Sequence, residues 1–366
     1  MRTLFTGCCY WLILSGLGSC IQPYAPEALS GPTQFLVVDG CINPRGVTTI
    51  RLSRTRPLQD DSKPVESKAS LAVEEEGGPR HPLLETAVPG TYTSAALQLP
   101  AGRRVRLIIK TAAQREYASD YSTVTITPEI DAVTWHIGPE GVQFNLSTHG
   151  AQAASRYYRW EYEETWKFVS AFESTVEFSN GRLIPRTTDI YRCWGSEPFT
   201  RIKIGNTARL TQNTVADYPL QLLPSNSVKL RFRYSILVKQ YALTAAEYAY
   251  WEALGKNTEN IGSLYDALPT QLAGNVHALA DAAEPVLGFV GAQSVTQQRL
   301  YIDRTELPTD WRFETGYNDK CELSRIPVSL YQYGNYTPVE LSLGSTTECV
   351  DCRKRGTNIE PTFWQD

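Results

Sequence analysis

The chain has 366 residues, of which 42% are hydrophobic and 20% charged, and a net charge of −4. That balance suits a chain with a real core and excludes wholesale disorder, and the lack of any basic stripe argues against DNA or RNA as a partner. Tyrosine is abundant, 20 against 11 phenylalanines, which suits half-buried strands and binding surfaces alike.

Arg2 is followed by a short apolar stretch from Leu4 to Leu17, then by Leu17-Gly18-Ser19-Cys20. A positive start, an apolar run too short to span a bilayer, and small residues before a cysteine form the pattern of a lipoprotein signal peptide. Residues 1–19 are therefore expected to be removed and Cys20 to carry the lipid. The protein is expected at the outer membrane, held by the acyl chains alone. Ile21 follows the cysteine where an inner-membrane retention signal would have aspartate, and the facing leaflet stays open. Residues 20–33, with Pro23, Pro26, Gly31 and Pro32, read as an extended tether.

Short strand signals follow at regular spacing. Phe35–Gly40, Val47–Arg54, Leu71–Glu74, Thr93–Leu97, Arg103–Ile109 and Tyr121–Ile126 are separated by turn residues, a pattern that predicts an immunoglobulin-like sandwich over 34–127. Pro128 marks a boundary to a second, larger antiparallel β domain over 128–320. There, Ala132–Ile137 and Val142–Ser147 flank a Gly-Pro-Glu-Gly turn, and Val176–Phe178 and Leu183–Ile184 flank Asn180-Gly181. Strands are further expected in Val228–Tyr241 and Val286–Ile302. One helix is predicted near 245–255, with Thr244 and Glu247 as a capping box, Leu243 and Tyr248 as a staple, and Gly255 ending it. Residues 321–366 read as a cysteine-containing segment packed on the second domain. The fold class is thus mainly β.

Catalytic signatures are weak. His81, His136, His149 and His277 have no paired ligand spacing, and no nucleophile elbow, phosphate loop or dinucleotide fingerprint occurs. No enzyme activity, metal or cofactor is expected. The densest cluster of chemistry is Tyr157-Tyr158-Arg159-Trp160-Glu161-Tyr162-Glu163-Glu164-Thr165-Trp166. Strand alternation puts Tyr158, Trp160, Tyr162 and Glu164 on one face, with Tyr157, Arg159, Glu161, Glu163 and Thr165 on the other. Core burial is expected for the aromatic face. The alternative, a platform for sugar or peptide, makes Tyr157, Tyr158, Trp160, Glu161, Glu163 and Trp166 the candidate ligand or partner surface. The carboxylates share one strand, unlike a glycosidase pair facing each other across a sugar, and are expected to be solvated or ion-paired.

Cys8 and Cys9 leave with the signal and Cys20 is lipidated, so Cys41, Cys193, Cys321, Cys349 and Cys352 remain. An oxidising envelope favours disulfides over zinc among Cys193, Cys321, Cys349 and Cys352, in a connectivity the sequence leaves open. Cys41, in an apolar strand, is expected to stay free.

The aromatic run resembles a known family. So do Arg233-Tyr234-Ser235-Ile236-Leu237-Val238-Lys239-Gln240-Tyr241-Ala242-Leu243-Thr244, Glu247-Tyr248 with Trp251, Lys256–Glu259, Gly274–Val276, Glu284–Phe289 and Cys349–Arg353. Together they look like the Bacteroidetes lipoproteins grouped as domain of unknown function 4249, over nearly the whole chain after Cys20. That resemblance implies an outer-membrane lipoprotein with an immunoglobulin-like first domain, associated with a TonB-dependent receptor and taking part in substrate capture. It carries over no catalytic residue. The expectation is a non-catalytic binding or accessory subunit for an unidentified small ligand, glycan or peptide. A glycan-binding or adhesion module acting alone, and a hydrolase with dispersed residues, are the alternatives.

Overall fold

The computed structural model describes residues 34–56, 64–151, 154–259, 272, 274–317 and 321–365; the signal peptide, Cys20 and the tether lie outside them. The first unit contains β1 (Leu36–Cys41), β2 (Val47–Arg54), β3 (Ser70–Glu75), β4 (Arg80–Glu85), β5 (Thr91–Ala96), β6 (Arg104–Lys110), β7 (Glu116–Ser119) and β8 (Ser122–Thr123). Alternation drives its packing. Val105, Leu107 and Ile109 of β6 are fully buried, while the residues between them face outward. Strands β1-β2-β5-β4 form one layer and β3-β6-β7 the other, the order of an immunoglobulin-like sandwich. β4 pairs through Arg80–Leu83 with β3 and through Leu83–Glu85 with β5, so it passes between the layers and joins them into one rolled, barrel-like sheet.

The second unit follows with β9 (Ile130–Gly138), β10 (Gly141–His149), β11 (Tyr157–Val169), β12 (Val176–Ser179), β13 (Arg182–Pro185), β14 (Arg192–Pro198), β15 (Lys203–Asn206), β16 (Thr214–Pro224) and β17 (Arg233–Leu243). After β17 come the helix α1 (Ala245–Glu259), β18 (Val276–Ala278), β19 (Val286–Leu287) and β20 (Val295–Asp303). A β16-β10-β9 sheet packs on a β14-β11-β17-β20 sheet, and β15 pairs with the first half of β11. Phe144, Leu146, Tyr158, Trp160, Tyr162, Tyr234, Ile236 and Val238 fill the space between them. The β12–β13 turn has Asn180 and Gly181 both at positive φ, as an Asn-Gly hairpin requires.

Two boundaries differ from the expectation. β18 pairs with β7 and β19 lies parallel to β1, so Val276, Ala278, Val286, Val290 and Ala292 belong to the core of the first unit. The sandwich edges need covering, and strands of two or three residues show no periodicity by which a sequence reading could place them. The helix also runs through Gly255 to Glu259: a Cβ at Gly255 would meet only ordinary contacts with Ile202, so nothing there forces a stop.

The C-terminal segment contains the hairpin β21 (Tyr336–Pro338) and β22 (Gly344–Thr346) and the one-turn helix α2 (Thr347–Val350). Disulfides join Cys193 to Cys352 and Cys321 to Cys349, and Cys41 is free. The first bond ties this segment to β14. Trp364 adds edge contacts with Trp194 and Tyr301. No helix among the described residues is long and apolar enough to cross a membrane.

Candidate functional site

β11 is buried on one face and lines a cleft with the other. Arg159 and Glu161 point away from the core, and the register sets Tyr241 and Lys239 of β17 beside them. Helix α1 lies across this face, and the spacing of Glu247, Tyr250, Trp251 and Leu254 puts them on the side turned toward it. The outward face of β1 supplies Val37, Asp39 and Cys41, β2 supplies Thr49 and Arg51, and Leu287–Phe289 form a further wall. The result is a cleft of about 660 Å³ where the two β units and the helix meet.

Arg159 sits at its base. The guanidinium lies 4.1 Å from the Trp251 ring centroid and 4.6 Å from that of Tyr241, and Nη1 donates to Glu161 Oε1 at 2.5 Å. Tyr241 donates its hydroxyl to the other Glu161 oxygen at 2.9 Å. Burial works against the charge of Arg159, yet Glu161, Tyr241, Cys41 and Glu247 nearby hold its pKa above the ordinary value. Arg159 Nε is buried with no hydrogen-bond partner. An unsatisfied buried donor costs about 1–3 kcal/mol, which marks this as a place of stored cost rather than finished packing.

Glu247 is the second such group. Its backbone N–H donates to Thr244 Oγ1 at 3.2 Å, one half of the expected capping box. Its carboxylate turns inward instead, where Oε1 accepts from Gln293 at 2.9 Å and from Trp251 at 3.4 Å, and Oε2 has no partner. Gly291 lies against it so closely that a Cβ there would fall 2.2 Å from Oε2. Burial raises the Glu247 pKa, with Arg159 and the two hydrogen bonds opposing. Burial likewise pushes the Cys41 thiol up to about 12, so it is a poor nucleophile at neutral pH. Lys239 has no ion-pair partner among the described residues, and Arg51 meets Asp39 in an exposed pair at 3.5 Å.

A family model described as Domain of unknown function (DUF4249) matches residues 21–299. The chain belongs to this family. The match is shorter than the resemblance read from the sequence, since Cys349–Arg353 falls beyond it. No curated protein matches the chain. The cleft residues from β1, β2, β11, β17, α1 and the Leu287–Val295 stretch all lie inside the family match.

The residues named as the alternative ligand or partner surface are not brought together. Tyr158 and Trp160 are fully buried in the second core and cannot serve as a surface platform. Tyr157 packs its ring 5.1 Å from Tyr248 of α1. Glu163 accepts from the Ser196 hydroxyl at 3.3 Å. Trp166 lies over Gly195 and under the Lys229 ammonium. Only Glu161 reaches the cleft. Glu164 is buried, taking bonds from Lys229 at 2.6 Å and Tyr234 at 2.7 Å. The sequence reading missed Tyr241, Glu247 and Trp251 as neighbours of Arg159, and Lys239 as a further cleft residue. The helical spacing of Glu247 and Trp251 was the available signal. The histidines lie outside the cleft, with His81, His149 and His277 each beside a carboxylate. Among the described residues no group of three or more His, Cys, Asp or Glu side chains could hold a metal.

Proposed function

We propose that the protein is a lipid-anchored, non-catalytic binding or accessory subunit at the outer membrane, working with a TonB-dependent receptor, and that it takes its ligand in the cleft around Arg159. The carrying observation is that cleft: a concave site at the meeting of two units, with aromatic walls and buried polar groups short of partners. The lipobox ending at Cys20 supports the anchor, and the family match begins just after it, at residue 21. A protein that hands on a ligand needs a site that binds without reacting, and an arginine clamped between rings with a thiol of raised pKa fits that need. The rival glycan module loses its platform because Tyr158 and Trp160 are in the core.

Affinity isolation from outer membranes tests the accessory role. The expected result is co-purification of a TonB-dependent receptor, reduced when Cys20→Ala frees the protein from the membrane. Recovery of the wild type alone, or entry of radiolabelled fatty acid equally into wild type and variant, would refute this assignment.

A further inference from the structure

Resting on the reading of the cleft as a ligand site, we propose that its ligand presents a carboxylate attached to an apolar or aromatic body, the carboxylate docking on Arg159 and Lys239. The charges in the cleft are balanced in number but not in what they have left to give. Glu161 already accepts from Arg159 and Tyr241. Glu247 is turned away toward Gln293 and Gly291, and Asp39 is at the exposed rim beside Arg51. On the cationic side, a guanidinium offers five N–H donors; Arg159 spends Nη1 on Glu161 and its Nε is buried out of a ligand's reach, which leaves Nη2 without a hydrogen bond among the described residues. Lys239 adds an ammonium with no ion pair among the described residues. The one buried acceptor without a partner among the described cleft residues, Glu247 Oε2, lies against Gly291, so the unspent capacity that faces the cleft is that of donors, which calls for an acceptor of negative charge. A planar carboxylate matches a guanidinium edge-on while both aromatic rings hold its faces.

One side of the wall is apolar: Tyr250 packs 5.3 Å from Phe289 and 5.6 Å from Trp251, and Val37, Leu254, Leu287 and Val295 extend it, while Asn43, Thr49 and Arg51 make the opposite rim polar. A volume of about 660 Å³ holds one side chain-sized body with its headgroup, not a long polymer. Free organic acids and the C-termini of short peptides share this chemistry.

The test is calorimetric titration of the full-length protein in detergent with N-acetyl-leucine, N-acetyl-phenylalanine and N-acetyl-tryptophan, and with the corresponding amides. Triglycyl-phenylalanine, with a free C-terminus, is added as a peptide probe. At least one acid is expected to bind while its amide binds about tenfold more weakly or worse, the worth of a charge-assisted hydrogen bond. Lys239→Gln should weaken the acid alone, Lys239→Arg should restore it, and Val37→Trp, which fills the cleft, should abolish binding. Tighter binding of the peptide than of N-acetyl-phenylalanine assigns the site to peptide C-termini, and the reverse assigns it to free acids. Equal binding of acids and amides, lost in Val37→Trp, overturns the carboxylate class and leaves the cleft as the ligand site. Binding indifferent to Val37→Trp, or none by any probe, overturns both.

Discussion

Replacing Trp160 with alanine removes the largest fully buried side chain of the second core. The indole is sandwiched between Tyr158, stacked at 5.9 Å, and Tyr218 at 4.3 Å, and its Nε1 donates to Gln240 Oε1 at 2.8 Å. Its outer edge lies on Gly205, where a Cβ would come within 2.9 Å of the ring. A tryptophan buries roughly 150–250 Å², which at about 25 cal/mol per Å² corresponds to some 4–6 kcal/mol of transfer free energy. Measured large-to-small changes of this kind cost about 3–5 kcal/mol. Gln240 Nε2 keeps its bonds to Pro128 O and Thr148 Oγ1, but the buried Oε1 loses its donor, so the hydrogen-bond contribution is about 1–3 kcal/mol. We expect Trp160→Ala to lower stability by about 4–5 kcal/mol and Trp160→Phe by about 1–2 kcal/mol. Urea unfolding followed by far-UV circular dichroism, with the disulfides intact, measures both. By contrast, Glu163→Gln should change stability by well under about 1 kcal/mol, because its partner is a surface hydroxyl. A Trp160→Ala protein within about 1 kcal/mol of wild type that had lost a sugar ligand would refute the core assignment and restore the platform.

Glu247 has a raised pKa in the folded state, so its contribution to stability is fully present below the ordinary carboxylate value and is lost as pH rises through the folded value. Glu247→Gln should therefore gain stability relative to wild type between pH 4 and pH 7, and parallel thermal melts across that range would contradict it. Opening the Cys193–Cys352 bond with Cys193→Ser should cost about 2–5 kcal/mol, since it closes a loop spanning 159 positions; an unchanged urea midpoint would count against that. Cys41 should react slowly with maleimide at pH 7.5 in the native protein and quickly in denaturant. Rapid native labelling would show that burial does not hold the thiol protonated.

The β class was legible because alternation is a local property: Val105, Leu107 and Ile109 declare an inward face without help from the rest of the chain. The same rule divided the aromatic part of β11, so the burial of Tyr158, Trp160 and Tyr162 could be read from the sequence, whereas the burial of Glu164 and Thr165 could not. The cleft was hidden for the opposite reason. Its residues come from β1, β2, β11, β17, α1 and the stretch after β19, and no spacing along the chain announces that Arg159 will meet Trp251. Glu247 was assigned to its own helix end because a capping box is a local motif. Gln293, from the first unit's closing segment, takes that carboxylate instead, and only the tertiary structure brings Gln293 to it. The disulfide partners were legible as a set, but not as pairs.

The pairing of Leu36 with Val286 has a bearing on how the protein is made. A chain synthesised from its N-terminus completes β1–β8 long before the residues that cover both edges of that sheet exist. Until then β1 and β7 present bare hydrogen-bonding edges, the form of strand most apt to pair with another chain. The second unit must be laid down between the opening and the closing of the first, so neither can be excised at residue 127 as a self-sufficient piece. Long-range closure of this sort slows folding. It also makes the two units gain and lose structure together, and an intermediate with the first sheet formed but unsealed is the species a chaperone would have to shield.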